Sequence, residues 1–400
     1  MNRSTCREFF RATAAATVTS ALLQPVHVLA ESVKPVCIKN IDIFSIEIPT
    51  PREHIEAGYM NRYTVAKVGT DTGVRGYSFA GPDPGLLDRA IRPALIGKDL
   101  FALEEHLKAG LIEWGGLEHA LWDAIGKIAG LPVHRLLGGS KSGLRVYLTC
   151  VWEGPDDQSQ VRVSDQVQMA IKIKKAGFKG MKIRAWQPED MANVDACQQI
   201  IKAVGPDFRL MFDRTANYSG KLWDYNSALK VAQGLEEYRA YWLEEPFDRN
   251  DFLSPARLAR EMDILITGGE GFRGLDPYRE CLVNETYDIL QPDAVNAGGI
   301  LTIMKIAALA EAFHKPVILH GSMGLRLAGW LQASAAIDAP WQELGLITPP
   351  LLPDEQWCPA LKVLNSNVVF ALLNGEIQLP QAPGLGLDVN EEALYSYRVT

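Results

Sequence analysis

Seven ionisable side chains recur through the second half of this 400-residue chain at intervals of 23 to 31 residues: Lys182, Asp213, Glu244, Glu270, Asp293, His320 and Glu343. Asp213, Glu244, Glu270, Asp293 and His320 close short apolar runs, as Tyr241-Trp242-Leu243 leads into Glu244 and Glu245. Neighbouring side chains on a strand point to opposite faces, so one of these two glutamates faces inward and needs a partner. Asp213, Glu244 and Glu270 on adjacent strands would repel one another in a low-dielectric site. A divalent cation removes that penalty, and all-oxygen ligands of this kind suit Mg²⁺. Asp293 beside His320 would fix the imidazole tautomer and keep the ring basic, which makes a general base. Lys182 and Arg184 share one strand face. Lys182 can hold a carboxylate or the enolate that develops from it. Arg184 can clamp a carboxylate but is a poor proton carrier, because it stays charged.

The elements that must position these residues follow from periodicity. Candidate strands are 144–150, 178–184, 208–213, 240–245, 264–270, 287–293, 316–320 and 341–346, with helical stretches between them. Such alternation implies parallel pairing and a (β/α)7-8 TIM-type barrel over 141–369, its charged strand ends at the C-terminal mouth. A sheet open at one edge is the rival. Residues 31–140 read as an N-terminal α+β capping domain, with a hairpin or meander at 63–77 and helices at 87–96, 101–112 and 116–129. Residues 370–400 are polar and punctuated by Pro and Gly, as expected of a segment returning to the cap.

The apolar fraction of 47% and charged fraction of 22% are ordinary for a globular protein. A net charge of −8 gives no nucleic-acid footprint. Residues 1–30 combine Arg3, Arg7 and Arg11 with an uncharged run from Ala12 to Leu23 and a small-residue Val28-Leu29-Ala30. This predicts a twin-arginine-like export signal and a periplasmic or exported location, with a cytoplasmic one as the alternative, since Cys6 stands where the first Arg of the pair belongs. The run is too short for a membrane span. The six Cys lack metal or redox spacing and read as packed small hydrophobes.

The motifs together resemble the enolase superfamily, in its mandelate-racemase-like group. They are Lys182-x-Arg184, Asp213, Trp242-Leu243-Glu244-Glu245-Pro246, Gly269-Glu270, Gln291-Pro292-Asp293-Ala294, His320 and Glu343, with Leu117 to Asp123 in the cap and Pro383-Gly384-Leu385-Gly386 near the end. The resemblance implies that Asp213, Glu244 and Glu270 ligate Mg²⁺, with Glu244 rather than Glu245 inward. It implies that Asp293 and His320 are the base dyad, that Lys182 contacts substrate, and that Glu343 hydrogen-bonds the enediolate oxygen. It implies α-proton abstraction from a small-molecule carboxylate, and a homo-oligomer. Two positions depart from the family: Arg184 stands where a second Lys is common, and Thr215 where an Asn or His is common.

A racemase working on both faces needs two bases, and one is visible here. The expectation is therefore dehydration of a sugar acid to a 2-keto-3-deoxy acid through a metal-stabilised enediolate. The alternatives are a racemase or epimerase of a carboxylate, or a non-catalytic metal-dependent binding relative.

Overall fold

The computed structural model describes residues 34–52, 54, 61–152, 161–347, 349–367 and 370–399. The export-like segment 1–30 lies outside the described residues, as do residues 53 and 55–60 of the cap. Strands β1 (Ile38–Glu47), β2 (Arg62–Thr70) and β3 (Arg75–Ser78) form an antiparallel meander. The chain reverses between β2 and β3 at Asp71-Thr72-Gly73, as its turn chemistry predicts.

The barrel runs in parallel through β4 (Gly143–Cys150), β5 (Gly180–Arg184), β6 (Arg209–Asp213), β7 (Trp242–Glu244), β8 (Leu265–Gly268) and β9 (Ile289–Leu290). The seventh position is a run of single bridges, Leu290 to Val317 and Asp293 to His320. Ser322 bridges to Leu344 of β10 (Gln342–Ile347), and β10 pairs with β4, closing the cylinder. The rival open sheet is thereby excluded. After the barrel, β11 (Leu372–Leu373) pairs with β12 (Glu376–Gln378), and β12 pairs antiparallel with β4. The last strand, β13 (Arg398–Val399), pairs with β1 of the meander.

Two helices of the cap differ from the expected spans. The stretch 87–96 is a π-type turn at Leu87–Ile91 running into α-helix at Arg92–Leu95. Pro93 has no amide hydrogen to continue the ladder, so the register changes there. The stretch 101–112 is a helix at Leu103–Lys108 and a separate 3₁₀ turn at Leu111–Trp114. Helix Gly115–Ala129 matches its periodicity and is buried along most of its length.

Alternation along the strands builds the barrel interior in layers. Tyr147, Met211, Trp242, Ile289, Ile318 and Trp341 form a buried apolar cluster. Two residues further along three of these strands come Thr149, Asp213 and Glu244, so a polar layer stands on an apolar floor. Tyr147 meets Trp242 edge-on with centroids 5.1 Å apart.

Buried carboxylates on helix Gly115–Ala129 fasten the cap. Glu118 accepts from Ile300 N at 2.7 Å and Leu301 N at 2.9 Å, the open N-terminus of a barrel helix. Asp123 accepts from Tyr77 N at 2.8 Å, Leu385 N at 2.8 Å and Lys127 Nζ at 2.6 Å. It therefore ties the meander, its own helix and the C-terminal segment to one side chain. Asp123→Ala strands two buried amides and is expected to cost roughly 3 kcal/mol, read as a lower melting temperature. An unchanged melting curve would show that these bonds are replaced elsewhere.

Candidate active site

Strand register sets the site. Arg184 lies opposite Asp213, and Asp213 opposite Glu244. All three predicted metal ligands are buried or nearly so, with side chains 1% exposed at Asp213 and Glu244 and 13% at Glu270. Each has its own cation. Arg184 pairs with Asp213, Lys182 lies 2.7 Å from Glu244 Oε2, and Arg249 pairs with Glu270. Lys182 also reaches Glu343 Oε1 at 3.0 Å and Asp213 Oδ2 at 3.4 Å. Burial works against the Lys182 charge, but Glu244, then Glu343 and Asp213, outweigh it and hold the ammonium above its ordinary pKa. Burial, opposed by Lys182, pushes the Glu244 carboxyl up to about 8.

The expectation that three carboxylates converge on one point needs correction. Among the described residues no three carboxylate, imidazole or thiol groups are gathered tightly enough to enclose an ion. The carboxylates are instead spread toward Lys182, Arg184 and Arg249, which supply the counter-charge. The donor set nevertheless fits Mg²⁺. Glu244 Oε1 is buried without a hydrogen bond, Glu270 Oε2 meets only the His320 imidazole, and Asp213 is on the strand next to Glu244. A buried carboxylate oxygen with no donor is what a hard cation satisfies.

Asp293 and His320 are brought together as predicted, with Nδ1 3.0 Å from Asp293 Oδ2. Asp293 Oδ1 accepts from Val295 N and Asn296 N, both at 2.8 Å, which leaves Oδ2 for the imidazole. The hydrogen-bond network therefore assigns the proton to Nδ1 in the neutral ring and the free lone pair to Nε2. Nε2 stands 3.0 Å from Glu270 Oε2, to which the protonated ring donates. Burial lowers the His320 pKa, but Glu270 and Asp293 outweigh it and raise it well above the usual value.

Glu343 is the second residue of β10, not its end, and lies opposite Tyr147. That depth surrounds it with donors: Tyr147 at 3.1 Å, Gly321 N at 2.9 Å, Lys182 and Thr149. Burial is outweighed by Lys182 and His320, so its carboxyl is held below the usual range. It is an anion that anchors Lys182. The expected hydrogen bond from Glu343 to an enediolate oxygen needs a protonated carboxyl, which these surroundings disfavour. Glu270, too, lies just past its strand, which stops at Gly268.

Arg184 is also immobilised. It donates to Asp213 and, at 2.8 Å, to Thr215 Oγ1, and its guanidinium stacks 5.0 Å from the Trp186 ring. Burial is outweighed by Asp213 and the other carboxylates, so its pKa is raised. It cannot serve as a second base.

Three contributors were not legible in the sequence. Arg249 bridges Glu270 and Glu245, the latter at 2.7 Å. Glu245 faces away from Lys182 but is buried, and also accepts from Gly269 N at 3.2 Å. It thus holds the cation that holds a ligand. Gln291 donates to Glu244 Oε2 at 3.1 Å. The four-residue spacing of Glu245 and Arg249 was the available signal, yet both leave the strand before any periodicity applies. Above these groups opens a cavity of about 370 Å³, lined by Arg184, Asp213, Glu270, Asp293, His320 and Glu343, with Trp186 and Tyr218 among its walls.

A closed barrel with acid at three successive strand ends and an Asp–His pair on the next two is now in place. Residues 163–393 match the family described as Enolase C-terminal domain-like. The chain belongs to the enolase superfamily. It is 28% identical over 284 residues to the arabinonate dehydratase of Saccharolobus solfataricus, covering 71% of each chain. It is 30% identical over 289 residues to the D-galactarolactone cycloisomerase of Agrobacterium fabrum, covering 71% of this chain and 73% of that one. Its fold is similar to the D-glucarate dehydratase from Agrobacterium tumefaciens complexed with magnesium, with TM-score 0.79, 27% identity, and coverage of 92% of this chain and 100% of that one. Within this enolase-superfamily chain five cysteines, Cys37, Cys150, Cys197, Cys281 and Cys358, are described and all are free. No described helix is long and apolar enough to cross a membrane.

Proposed function

We propose that the protein is a Mg²⁺-dependent lyase that dehydrates a sugar acid to a 2-keto-3-deoxy acid. The observation that carries this is the single base, His320, oriented by Asp293 and aimed at Glu270. Asp213, Glu244 and Glu270 would hold Mg²⁺, which supplies positive charge beside the substrate carboxylate and so favours loss of the α-proton. Lys182, expected to contact the substrate, is instead fully buried and paired with Glu244 and Glu343, so it adds positive charge to the site without lining the cavity. His320 Nε2 takes the α-proton, and the C–H electron pair moves into the carboxylate to give an enediolate. As that pair returns, the β-carbon to oxygen bond breaks. His320 gives its proton to the departing hydroxide, which leaves as water. The resulting enol takes a solvent proton at the β-carbon, releases its hydroxyl proton to solvent and becomes the 2-keto acid. Arg184, paired and stacked, supports dehydration over racemisation, because it stays charged and cannot act as a second base. Incubating the purified chain with Mg²⁺ and a panel of sugar acids should yield 2-keto acid from at least one. Solvent-deuterium exchange at both faces of the α-carbon, with no keto acid, would support a racemase or epimerase instead. Residues 1–30 support export, which cell fractionation tests; a purely cytoplasmic pool counts against it. Assembly into a homo-oligomer is part of the same reading and is tested by light scattering.

A further inference from the structure

Arg326 is the cation of this cavity that the mechanism leaves unused. It lies on the 3₁₀ turn Gly324–Arg326, six residues beyond His320, and lines the same cavity as His320, Arg184 and Glu270. It also borders a second cavity beside Arg62, Tyr63 and Thr64, so it stands where the barrel mouth meets the cap. Its Nε is buried and has no hydrogen-bond partner. Among the described residues its guanidinium makes no hydrogen bond or ion pair, unlike Arg184 and Arg249, which each hold carboxylates. The nearby acids are not free to serve it. Both oxygens of Asp293 are taken by His320, Val295 N and Asn296 N, and Glu343 is taken by Lys182, Tyr147 and Gly321 N.

Nor can the segment swing Arg326 out to solvent cheaply. Gly324, at φ 53°, packs so closely that an added Cβ would lie 2.2 Å from Tyr63 Oη. A Cβ on Gly329 would lie 2.2 Å from His119 Nδ1. Between these two contacts with the cap, Leu325 and Leu327 are buried. A half-buried guanidinium with an orphaned donor, held in place on both sides, calls for an anionic acceptor. Its planar fork matches the two oxygens of a carboxylate. A hydroxyl could accept a bond but would leave the charge uncompensated.

We propose that Arg326 receives a second carboxylate at the far end of the substrate, so that the enzyme selects dicarboxylic sugar acids over monocarboxylic ones. This rests on the sugar-acid reading above and narrows its substrate class. The test uses the full chain with Mg²⁺ and two matched probe pairs, galactarate with galactonate and glucarate with gluconate. Within the pair that is turned over, the diacid should be preferred in kcat/KM by about 100-fold, the worth of one desolvated charge-assisted pair. Arg326→Met should collapse that ratio toward 1, chiefly through KM, and Arg326→Lys should restore part of it. Equal turnover of the two members by the unaltered enzyme, or a ratio unmoved by Arg326→Met, overturns the proposal. If no member of either pair yields 2-keto acid, that result counts against the dehydratase reading for these substrates, and calorimetric titration decides the proposal separately. Diacid binding tighter than monoacid binding, with the difference lost in Arg326→Met, supports the second seat. Equal binding of the two overturns it.

Discussion

Replacing His320 by Asn is expected to lower kcat for 2-keto acid formation by about 10⁴-fold, the upper range for loss of a general base. Asn keeps the size of the ring's inner half and can still donate to Asp293, so the fold should persist. It has no group that can take a proton. The pairing at 3.0 Å with Asp293, and the second approach of 3.0 Å to Glu270, hold Nε2 against a predicted metal ligand. Mg²⁺ binding should survive, because His320 is not among the ligands. α-Proton exchange in deuterated water should vanish with turnover. Persistent exchange would assign the base elsewhere, and Arg184 is a poor substitute, since Asp213 and Thr215 hold it and keep it charged.

The second large effect concerns stability. Lys182 is fully buried and touches Glu244, Glu343 and Asp213. Lys182→Met preserves much of the volume but removes the charge that these buried anions share. Breaking a buried pair by deleting one partner costs about 3–5 kcal/mol, because it leaves uncompensated charge in the interior. The expected result is a variant destabilised by about 4 kcal/mol without metal, read by chemical denaturation. Saturating Mg²⁺ should recover part of that loss, because a ligand that binds only the folded state stabilises it by mass action. A variant that unfolds at the same denaturant concentration as the parent would mean that Glu244, Glu343 and Asp213 do not depend on the Lys182 charge, contrary to the contacts described.

Much of this was legible from spacing. A strand of period 2 and a unit of fixed length place Asp213, Glu244, Asp293 and His320 at one end of the barrel, and they are found there. The same period puts Trp242 on the floor and Glu244 above it, which separates Glu244 from Glu245. What was not legible depends on turns and depth. Glu343 reads as another mouth residue, but β10 enters the barrel one residue before it, so it lies deep enough to take Lys182 and Tyr147. Arg249 comes from an irregular loop, where no periodicity predicts direction, and yet it reaches both Glu245 and Glu270. Pro93 was visible in the sequence, and its missing amide explains the broken cap helix at 87–96. Glu118 and Asp123 lie within the cap motif Leu117 to Asp123. They are buried because a barrel helix packs over Glu118, and the meander and the C-terminal segment over Asp123, a tertiary fact that local pattern does not contain.

The central claim is that carboxylate-held Mg²⁺ and a single His base remove an α-proton and then a β-hydroxyl. Proton NMR of the reaction in deuterated water tests it most directly, run on the sugar-acid panel with Mg²⁺ and again with a chelator. The account predicts 2-keto-3-deoxy product with one deuterium at the β-carbon, formed with Mg²⁺ and absent without it. Product formation that survives the chelator, or deuterium at the α-carbon of both epimers with no keto acid, would contradict it.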